Sequence, residues 1–211
     1  TEFSRNGGLV HQRVAALEAE FNQLNRTLRT WTNSPTTSFR FTPSGMSEWQ
    51  ARDLFCKAIR QCWQRTGPEG VAVAGVVRPQ ALMLDNFSNL RLLLETLPTL
   101  EANFDHVTQL SLRNGALRDT HMSFLNSFRR VRYLNLQDNL LTAVPPVISD
   151  MNHLTDLFLN DNRIELDVLA VDRLKNLTQL RSLGLRGNPL KLSPNISRMP
   201  WLQVLCPAPS R

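Results

Sequence analysis

The residues in this sequence that could perform chemistry are its histidines and cysteines, and their spacing matches no familiar catalytic or metal centre. Zinc sites take Cys and His side chains in closely spaced pairs, and nucleophilic catalysis needs a base beside the nucleophile. The histidines are instead scattered along the chain, at His11, His106, His121 and His153. No glycine-rich phosphate loop or nucleophile elbow occurs either. We therefore predict that this chain has no catalytic residue, no metal site and no cofactor.

The three cysteines are expected to be packed thiols. Cys56 and Cys62 are six residues apart on a predicted helix, so they point to different sides and cannot form a disulfide with each other. Cys206 is followed by a proline, and no histidine is obviously placed to activate it. A sparse, odd number of cysteines indicates a reducing compartment and no disulfide framework.

The charge pattern argues against nucleic-acid binding, although the chain is basic. Its 24 Lys and Arg residues against 18 Asp and Glu residues give a net charge of +6. The two signs are mixed along the whole chain, whereas a nucleic-acid binder usually gathers positive charge on one stripe. No apolar run approaches the roughly 20 residues that a membrane span needs. We therefore expect neither a nucleic-acid partner nor a membrane span.

The second half of the chain repeats one pattern, L-x-x-L-x-L-x-x-N-x-L, at a nearly constant period. Its four copies start 24, 23 and 26 residues apart, and they cover Val107–Leu117, Val131–Leu141, Leu154–Ile164 and Leu180–Leu190. This period and this pattern are typical of leucine-rich repeats. The predicted fold class is therefore α/β: a leucine-rich-repeat solenoid with short parallel strands on its concave face and an N-terminal α-helical hairpin as a cap.

Each position of the repeat has a physical reason. In Leu-x-Leu, alternate side chains of a short strand point into the solenoid. The amide of an asparagine at the ninth position can donate and accept hydrogen bonds, so it can satisfy backbone groups in the turn after the strand. Asn139, Asn162 and Asn188 are thus predicted to form a structural ladder. In the first copy Gly115 takes this position, which predicts either an irregular turn or a poorer copy.

The variable strand positions point away from the core and are the candidates for binding a partner. The candidate partner-binding residues are Gln109, Arg113, Tyr133, Asn135, Gln137, Asp156, Phe158, Asn160 and Arg186. Tyr133 and Phe158 stand out because aromatic residues and arginine are favoured as interface anchors. Arg113, Arg186 and Asp156 would then supply polar groups around them. The alternative is that both aromatics are stray apolar residues on the surface, which are common.

The segments between the strands must return along the convex side. Prolines within residues 143–153 favour an extended or 3₁₀ path, and the apolar pattern of residues 164–174 favours a helix. Upstream, residues 81–100 look like a degenerate entry repeat, which would cap the solenoid. Residues 201–205 begin a fifth strand that either covers the last open face of the core or marks a truncation of the solenoid.

The sequence pattern of the first part of the chain predicts two helices. Apolar residues alternate at spacings of four and three over residues 10–31, which fits a coiled-coil oligomerisation helix or a helix packed within the chain. The large aromatic side chains in this pattern favour the second interpretation. A second helix starts near Ser47, with Gln50 as its capping-box partner, and ends at residues 65–68. The turn-rich residues 33–45 join the two helices as a linker.

These features divide the chain into three parts. Residues 1–68 form the helical hairpin, residues 69–106 a linker and the entry repeat, and residues 107–211 the leucine-rich repeats with a C-terminal cap. The first residues, Thr1–Ser4, match neither an initiator methionine nor a signal peptide, which indicates an excision boundary.

The repeats and the helical front end together resemble the recognition region of the bacterial novel E3 ubiquitin ligase effectors. The resemblance is carried by the four repeat copies, such as Val131–Asn139, with Leu28–Trp31 and Arg60–Trp63 adding to it in the helices. It implies that the repeats choose a substrate for a separate catalytic domain and mask that domain until the substrate binds. It also implies secretion from a Gram-negative bacterium into the host cytoplasm.

One feature of that family is missing from these residues. The family's ligase domain uses a cysteine in a Cys-x-Asp motif, and none of Cys56, Cys62 and Cys206 has an Asp two residues later. No catalytic residue is carried over, and the resemblance implies a ligase domain beyond Arg211. The predicted function is a recognition module that binds a protein partner, such as a host protein, on its concave face and adjoins the ligase domain. The alternative is a stand-alone leucine-rich-repeat scaffold or receptor fragment with no associated enzyme.

Overall fold

The computed structural model describes residues 38–43, 45–63 and 79–189. The predicted helix over residues 10–31, the end of the second helix, the strand at residues 201–205 and Cys206 all lie outside these residues. The second helix from its start and nearly all of the four repeat copies lie within them.

A parallel sheet of six strands runs through the described residues, with its strands side by side in chain order. The strands are β1 (Ser38–Arg40), β2 (Ala81–Met83), β3 (Gln109–Ser111), β4 (Tyr133–Asn135), β5 (Asp156–Phe158) and β6 (Ser182–Gly184). Each strand pairs with the next in the same register, so residues at equal repeat positions form rows across the sheet. This regular stacking confirms the predicted leucine-rich-repeat solenoid of the α/β class.

The leucines of each Leu-x-Leu unit fill the interior of the solenoid. In three successive repeats these side chains have no exposed surface, at Leu110, Leu112, Leu134, Leu136, Leu157 and Leu159. They face inward together because side chains of a strand alternate between its two faces. Burying one such side chain stabilises the fold by roughly 1.5–3 kcal/mol, so the repeated pair is the main source of cohesion between strands.

A left-handed residue follows every strand from β2 to β6, and the sequence pattern did not reveal it. Asn86, Asn114, Asp138, Asp161 and Gly187 occupy the same repeat position, with φ between 52° and 80°. Asn, Asp and Gly are the residues that adopt this backbone region at least cost. The types at this position were visible in the sequence and could have indicated the turn. The turn directs the chain out of the sheet and toward the convex side.

Gly115, the misfit of the repeat pattern, is explained by a close approach of the preceding repeat. A Cβ atom at Gly115 would lie 2.7 Å from both Cβ and Cδ2 of Leu90, which is too close for two carbon atoms. The backbone N–H of Leu90 also donates to the carbonyl of Gly115 over 3.3 Å. Any larger residue here would push the two repeats apart, so glycine is required by packing.

The convex side is built from short helical segments. Pro146–Asp150 forms a 3₁₀ helix, as the prolines predicted, and Val168–Lys175 forms an α-helix (α3), as the apolar pattern predicted. The entry repeat carries a short helix α2 (Arg91–Leu94) and a 3₁₀ turn at Leu97–Thr99, and a 3₁₀ segment at Asp119–Ser127 follows β3. The two return paths expected from the sequence are thereby confirmed.

The second helix, α1 (Glu48–Trp63), begins with the predicted capping box. The backbone N–H of Gln50 donates to Ser47 Oγ over 3.3 Å, and the N–H of Ser47 donates to Gln50 Oε1 over 3.1 Å. Apolar side chains of this helix are buried on one face, at Ala51, Leu54, Phe55, Ala58, Ile59 and Cys62. The expectation that residues 33–45 only link two helices is wrong for Ser38–Arg40, which pairs with β2 as the first strand of the sheet.

An aromatic cluster joins this helix to the solenoid. It consists of Phe39, Phe41, Phe55, Trp63, Phe104 and Phe128, with ring centroids of successive neighbours 4.7–6.5 Å apart. Trp63 is central to it: its indole Nε1 donates to the carbonyl of Pro79 over 3.2 Å, and its own carbonyl accepts from the N–H of Asn103. The core is therefore continuous from α1 into the repeats.

Candidate functional site

Two of the potentially reactive side chains have structural roles: Cys62 is packed in the core, and His121 accepts a hydrogen bond from the backbone N–H of Arg118. No three His, Cys, Asp or Glu side chains among the described residues are placed to hold a metal ion. Cys62 is a free thiol buried in the core, and this burial raises its pKa well above the usual range, so it carries no nucleophilic thiolate. Separately, none of the described helices has the length and apolar character needed to cross a bilayer.

The outward side of strands β3 to β6 presents three rows of side chains, which together we call the concave face. The first row is Gln109, Tyr133, Asp156 and Ser182, the second Ser111, Asn135, Phe158 and Gly184, and the third Arg113, Gln137, Asn160 and Arg186. The first two rows follow directly from the strand register, and the third lies two residues further along each chain segment. All nine residues predicted to bind a partner therefore belong to one continuous surface.

Tyr133 and Phe158 form an aromatic pair near the centre of the concave face. Their ring centroids are 5.5 Å apart with an interplanar angle of 51°. The pair lies diagonally across β4 and β5, and both side chains are half-buried. Such tilted ring contacts contribute roughly 0.5–1.5 kcal/mol beyond the area they bury, so each ring holds the other in place while part of its surface stays open to solvent.

Asn135 is placed differently from its predicted neighbours. It is only 7% exposed, and it lies between Tyr133, two residues earlier in β4, and Phe158, its partner in the register. Its Oδ1 accepts from the backbone N–H of Gln137 over 3.0 Å, and its Nδ2 donates to the hydroxyl of Tyr133 over 3.3 Å. Asn135 thus holds the tyrosine hydroxyl in place, and little of its own surface is accessible to a partner.

Gly184 makes room for two neighbouring side chains of the concave face. A Cβ atom at Gly184 would lie 1.9 Å from Asn160 Oδ1 and 3.0 Å from Phe158 Cδ1, so no other residue fits without moving them. Asn160 Oδ1 is buried there without a hydrogen-bond partner in the part of the chain that the structure describes. The sequence alone does not reveal this role, because only the register shows that Gly184 lies beside Phe158.

Most carboxylates on or beside this surface accept a hydrogen bond or form an ion pair. Asp156 accepts from Thr155 Oγ1 over 2.7 Å and pairs with Arg181, whose Nη2 lies 3.7 Å from Asp156 Oδ2. Asp161 accepts from Gln137 Nε2 over 3.5 Å. By contrast, the guanidinium groups of Arg113 and Arg186 are exposed and make no ion pair within the described ranges.

The three asparagines of the predicted ladder lie beneath this surface and bond to backbone groups of neighbouring repeats. Asn139 Oδ1 accepts from the N–H groups of Gly115 and Leu117, and its Nδ2 donates to the carbonyl of Leu112. Asn162 and Asn188 make the equivalent bonds one and two repeats later. Each amide therefore links two successive repeats and fixes the position of their strands relative to each other.

The convex side also has a depression, between the 3₁₀ segments Asp119–Ser127 and Pro146–Asp150. This open groove has a volume of about 390 Å³ and is lined by Leu125, Asn126, Arg129, Val147, Asp150, Met151, Asn152 and His153. Its lining mixes apolar and polar groups, and no ring pair comparable to Tyr133 and Phe158 lies in it. The concave face is therefore the stronger candidate for recognition.

The sequence is similar to the leucine-rich-repeat family over residues 105–164, where the pattern of that family matches. No curated protein matches the chain. Among solved structures, a leucine-rich-repeat protein of Leptospira interrogans is 18% identical, with a TM-score of 0.46, and the match covers 86% of this chain and 50% of that one.

Two internalins of Listeria monocytogenes are also similar in structure. Internalin C2 is 16% identical, with a TM-score of 0.42 and coverage of 59% of this chain and 49% of that one. A second internalin is 19% identical, with a TM-score of 0.40 and coverage of 55% and 29%. The chain thus spans half or less of the length of the proteins it matches. The family pattern over residues 105–164 and the observed stack of parallel strands together show a leucine-rich-repeat fold.

Proposed function

We propose that this chain recognises a protein partner through its concave face, with Tyr133 and Phe158 as the anchors. The observation that carries the proposal is the aromatic pair itself, two rings 5.5 Å apart that stand on the solvent side of adjacent strands. The inward leucines supply the core of these repeats, so the fold does not need aromatic residues on this side. Partly open aromatic rings on rigid strands are the side chains that most often dominate binding energy in interfaces.

We further propose that the partner is the substrate of an E3 ubiquitin ligase whose catalytic domain lies outside residues 1–211. The support is the resemblance of the repeats and of Arg60–Trp63 to the recognition region of the bacterial novel E3 ubiquitin ligase effectors. In this arrangement the concave face selects the protein to be modified. The parent would be secreted from a Gram-negative bacterium and would meet that protein in the host cytoplasm.

A ubiquitin-transfer assay on the full-length product of the gene tests the ligase proposal. Three forms are compared: the intact protein, a form without residues 1–211, and a form carrying Tyr133→Ala with Phe158→Ala. We expect all three to form ubiquitin chains, because the catalytic cysteine would lie elsewhere. Only the intact protein should modify its specific substrate efficiently, with a loss of roughly 2–4 kcal/mol in substrate binding for the double variant.

The results separate the two parts of the proposal. A parent that transfers no ubiquitin would overturn the ligase context, and a stand-alone leucine-rich-repeat scaffold or receptor fragment would take its place. A double variant that captures and modifies the substrate as well as the intact protein would overturn the concave-face assignment. The melting temperature of the double variant should stay within a few degrees of the original, because both rings are partly open to solvent.

A further inference from the structure

We infer that the concave face takes an acidic segment of its partner, in which two carboxylates flank an apolar or aromatic side chain at a separation of roughly three to five residues. This inference deepens the proposed function and rests on it, since it uses the same surface. Two observations support it: the unpaired arginines on that surface, and their position relative to the aromatic pair.

The unpaired charges of the third row are positive. Arg113 and Arg186 are exposed at the two ends of this row, and neither makes an ion pair in the part of the chain that the structure describes. The two residues between them, Gln137 and Asn160, are uncharged. An arginine guanidinium offers a fork of N–H donors that fits a carboxylate, so each end of the row is ready to bind one acidic side chain.

The carboxylates on or beside this surface, except that of Asp156, keep their negative charge, because hydrogen bonds from neutral groups do not neutralise them. Partner carboxylates are therefore favoured at the two guanidinium groups and disfavoured between them. Asp156 is paired with Arg181, and Asp161 accepts from Gln137. Asp85, next to Arg113 in the row, uses its Oδ1 to accept from Ser111 Oγ over 2.6 Å and from the backbone N–H of Arg113 over 2.9 Å. Asp138 remains exposed, at the rim where the chain leaves the sheet.

The spacing of the two arginines fits a short extended peptide. The register places Arg113 and Arg186 three strand steps apart, and each step is about 4.8 Å, so their backbones are about 14 Å apart. An extended peptide advances about 3.3 Å per residue, so two acidic residues roughly four positions apart reach both guanidinium groups when the peptide crosses the strands.

The aromatic pair lies on the two strands between those of Arg113 and Arg186, with Phe158 one row away from the arginine row and Tyr133 two rows away. Tyr133 belongs to β4 and Phe158 to β5, the two strands that separate the repeats carrying Arg113 and Arg186. A large side chain midway between the two acidic residues can therefore reach Phe158, the nearer ring, which lies about 7 Å away along the strand direction. An apolar or aromatic group is the side chain that gains most from contact with a partly open ring pair.

A nucleic acid fits this surface less well than an acidic peptide. A phosphate backbone carries charge at every step, and it would meet Asp138, Asp156 and Asp161 in the middle of the face. Discrete carboxylates at the two ends avoid these groups. Single strands also bind by stacking successive bases on aromatic platforms, whereas the two rings here are tilted by 51° to each other and offer no pair of parallel faces.

Selection from a library of random dodecapeptides on the intact chain tests the inference. We expect the selected peptides to carry two Asp or Glu residues three to five positions apart around an aromatic or large apolar residue. Their affinity, measured by fluorescence anisotropy, should fall about tenfold or more in the variant Arg113→Glu with Arg186→Glu. It should also fall as the salt concentration rises, because these charges are exposed.

A matched control changes the net charge equally at another place. Arg129→Glu with Arg130→Glu alters two exposed arginines in the turn before β4, outside the three rows of the concave face. This control should bind the selected peptides within about twofold of the original chain, as expected of sites away from the contact. Thermal melts of both variants confirm that they are folded.

Each other outcome has a definite meaning. Selected peptides that are neutral or basic, that bind the Arg113 and Arg186 variant unchanged, or that never emerge would overturn the acidic-segment inference. The proposed concave face survives in the first two cases if the variant Tyr133→Ala with Phe158→Ala loses the peptides, and it fails if that variant binds them normally. A random single-stranded oligonucleotide that binds through Arg113 and Arg186 in the absence of any acidic peptide would assign the face to nucleic acid and overturn the inference.

Discussion

The two ends of the described solenoid use aromatic residues in opposite ways. In the N-terminal part, from β1 to the 3₁₀ segment Asp119–Ser127, the aromatic cluster turns inward and binds α1 to the sheet. In residues 129–189 the aromatic residues are Tyr133 and Phe158, and both stand on the outward side of the strands. The first set builds the core, whereas the second is free to serve recognition.

The two regions also hold their turns together by different means. Ladder asparagines occupy the ninth repeat position in the later repeats, where their amides bond to backbone groups. At the same position the earlier repeats carry Phe87 and Gly115, which cannot make such bonds. Both parts have a buried apolar core, and the later repeats add buried polar bonds that the earlier ones lack, so the two parts should respond differently to mutation.

Trp63→Ala is expected to give the largest loss of stability. It removes the central ring of the aromatic cluster and the hydrogen bond to Pro79, and truncating a buried aromatic side chain costs about 3–5 kcal/mol. The free energy of unfolding in urea measures this loss. Trp49→Ala is the matched control, since that ring is 73% exposed, and it should cost less than about 1 kcal/mol. Equal losses in the two variants would show that the cluster does not hold the N-terminal part together.

Asn162→Ala tests the polar ladder of the later repeats. It leaves the buried N–H of Leu141 without its partner, which should cost about 1–3 kcal/mol, whereas the carbonyls of Leu136 and Leu159 still accept from the neighbouring ladder asparagines. Thermal and urea melts report the change. Asn152→Ala, an exposed asparagine on the convex side, provides the comparison and should leave the melting curve almost unchanged. A melt that Asn162→Ala hardly moves would argue against the ladder.

Ser47→Ala addresses the start of α1 and should have a smaller effect. It removes the hydroxyl that accepts from the backbone N–H of Gln50, and the loss of such a cap costs about 1 kcal/mol. Ser47→Asp should restore most of this stability, because Asp also serves as an N-cap. A full loss that Asp does not restore would point to a role of Ser47 other than capping.

His121 gives the smallest effect, which depends on pH. Burial lowers its pKa below the ordinary 6.5, and the charges of Arg91 and Arg118 lower it further while Glu95 opposes them. Because the unfolded chain binds the proton more readily, the stability that neutral His121 contributes is complete above pH 6.5 and is lost as the pH falls through the lowered value. His121 Nδ1 accepts from the N–H of Arg118, a bond that the protonated ring cannot make.

The comparison for this prediction is His121→Asn, whose side-chain oxygen can accept the same bond without titrating. Its urea midpoint should decrease less than that of the original chain between pH 7 and pH 5. Identical pH dependence in the two proteins would exclude His121 as a source of acid sensitivity.

Much of the fold could be predicted from the repeat pattern because one physical requirement recurs in every copy. The leucine spacing predicted the strands and the buried positions, and prolines and apolar spacing predicted the return paths along the convex side. The first strand was missed because Ser38–Arg40 lies among turn-forming residues, and only its pairing with β2 makes it a strand. The left-handed turn position was missed as well, although Asn, Asp and Gly recur there.

The candidate site was predicted less completely than the fold. Strand alternation indicated which residues face outward, and this placed the nine candidates on one surface. It did not indicate that Asn135 is covered and bonded to Tyr133, nor that Gly184 provides the space for Phe158 and Asn160. These are contacts between side chains of the same or neighbouring strands. A repeat template describes single positions and not such contacts.

The sequence by itself determined the period, the inward leucines and the type of residue at each turn, because these follow from local geometry that is the same in every repeat. Only the tertiary structure decided how the outward side chains meet. Contact between Tyr133 and Phe158, and the unpaired state of Arg113 and Arg186, depend on strand register and on which neighbours already hold each charge. The physical reason is that a residue's position within its own repeat determines whether it is buried. A binding surface, in contrast, consists of side chains from several repeats, which meet only when the repeats stack.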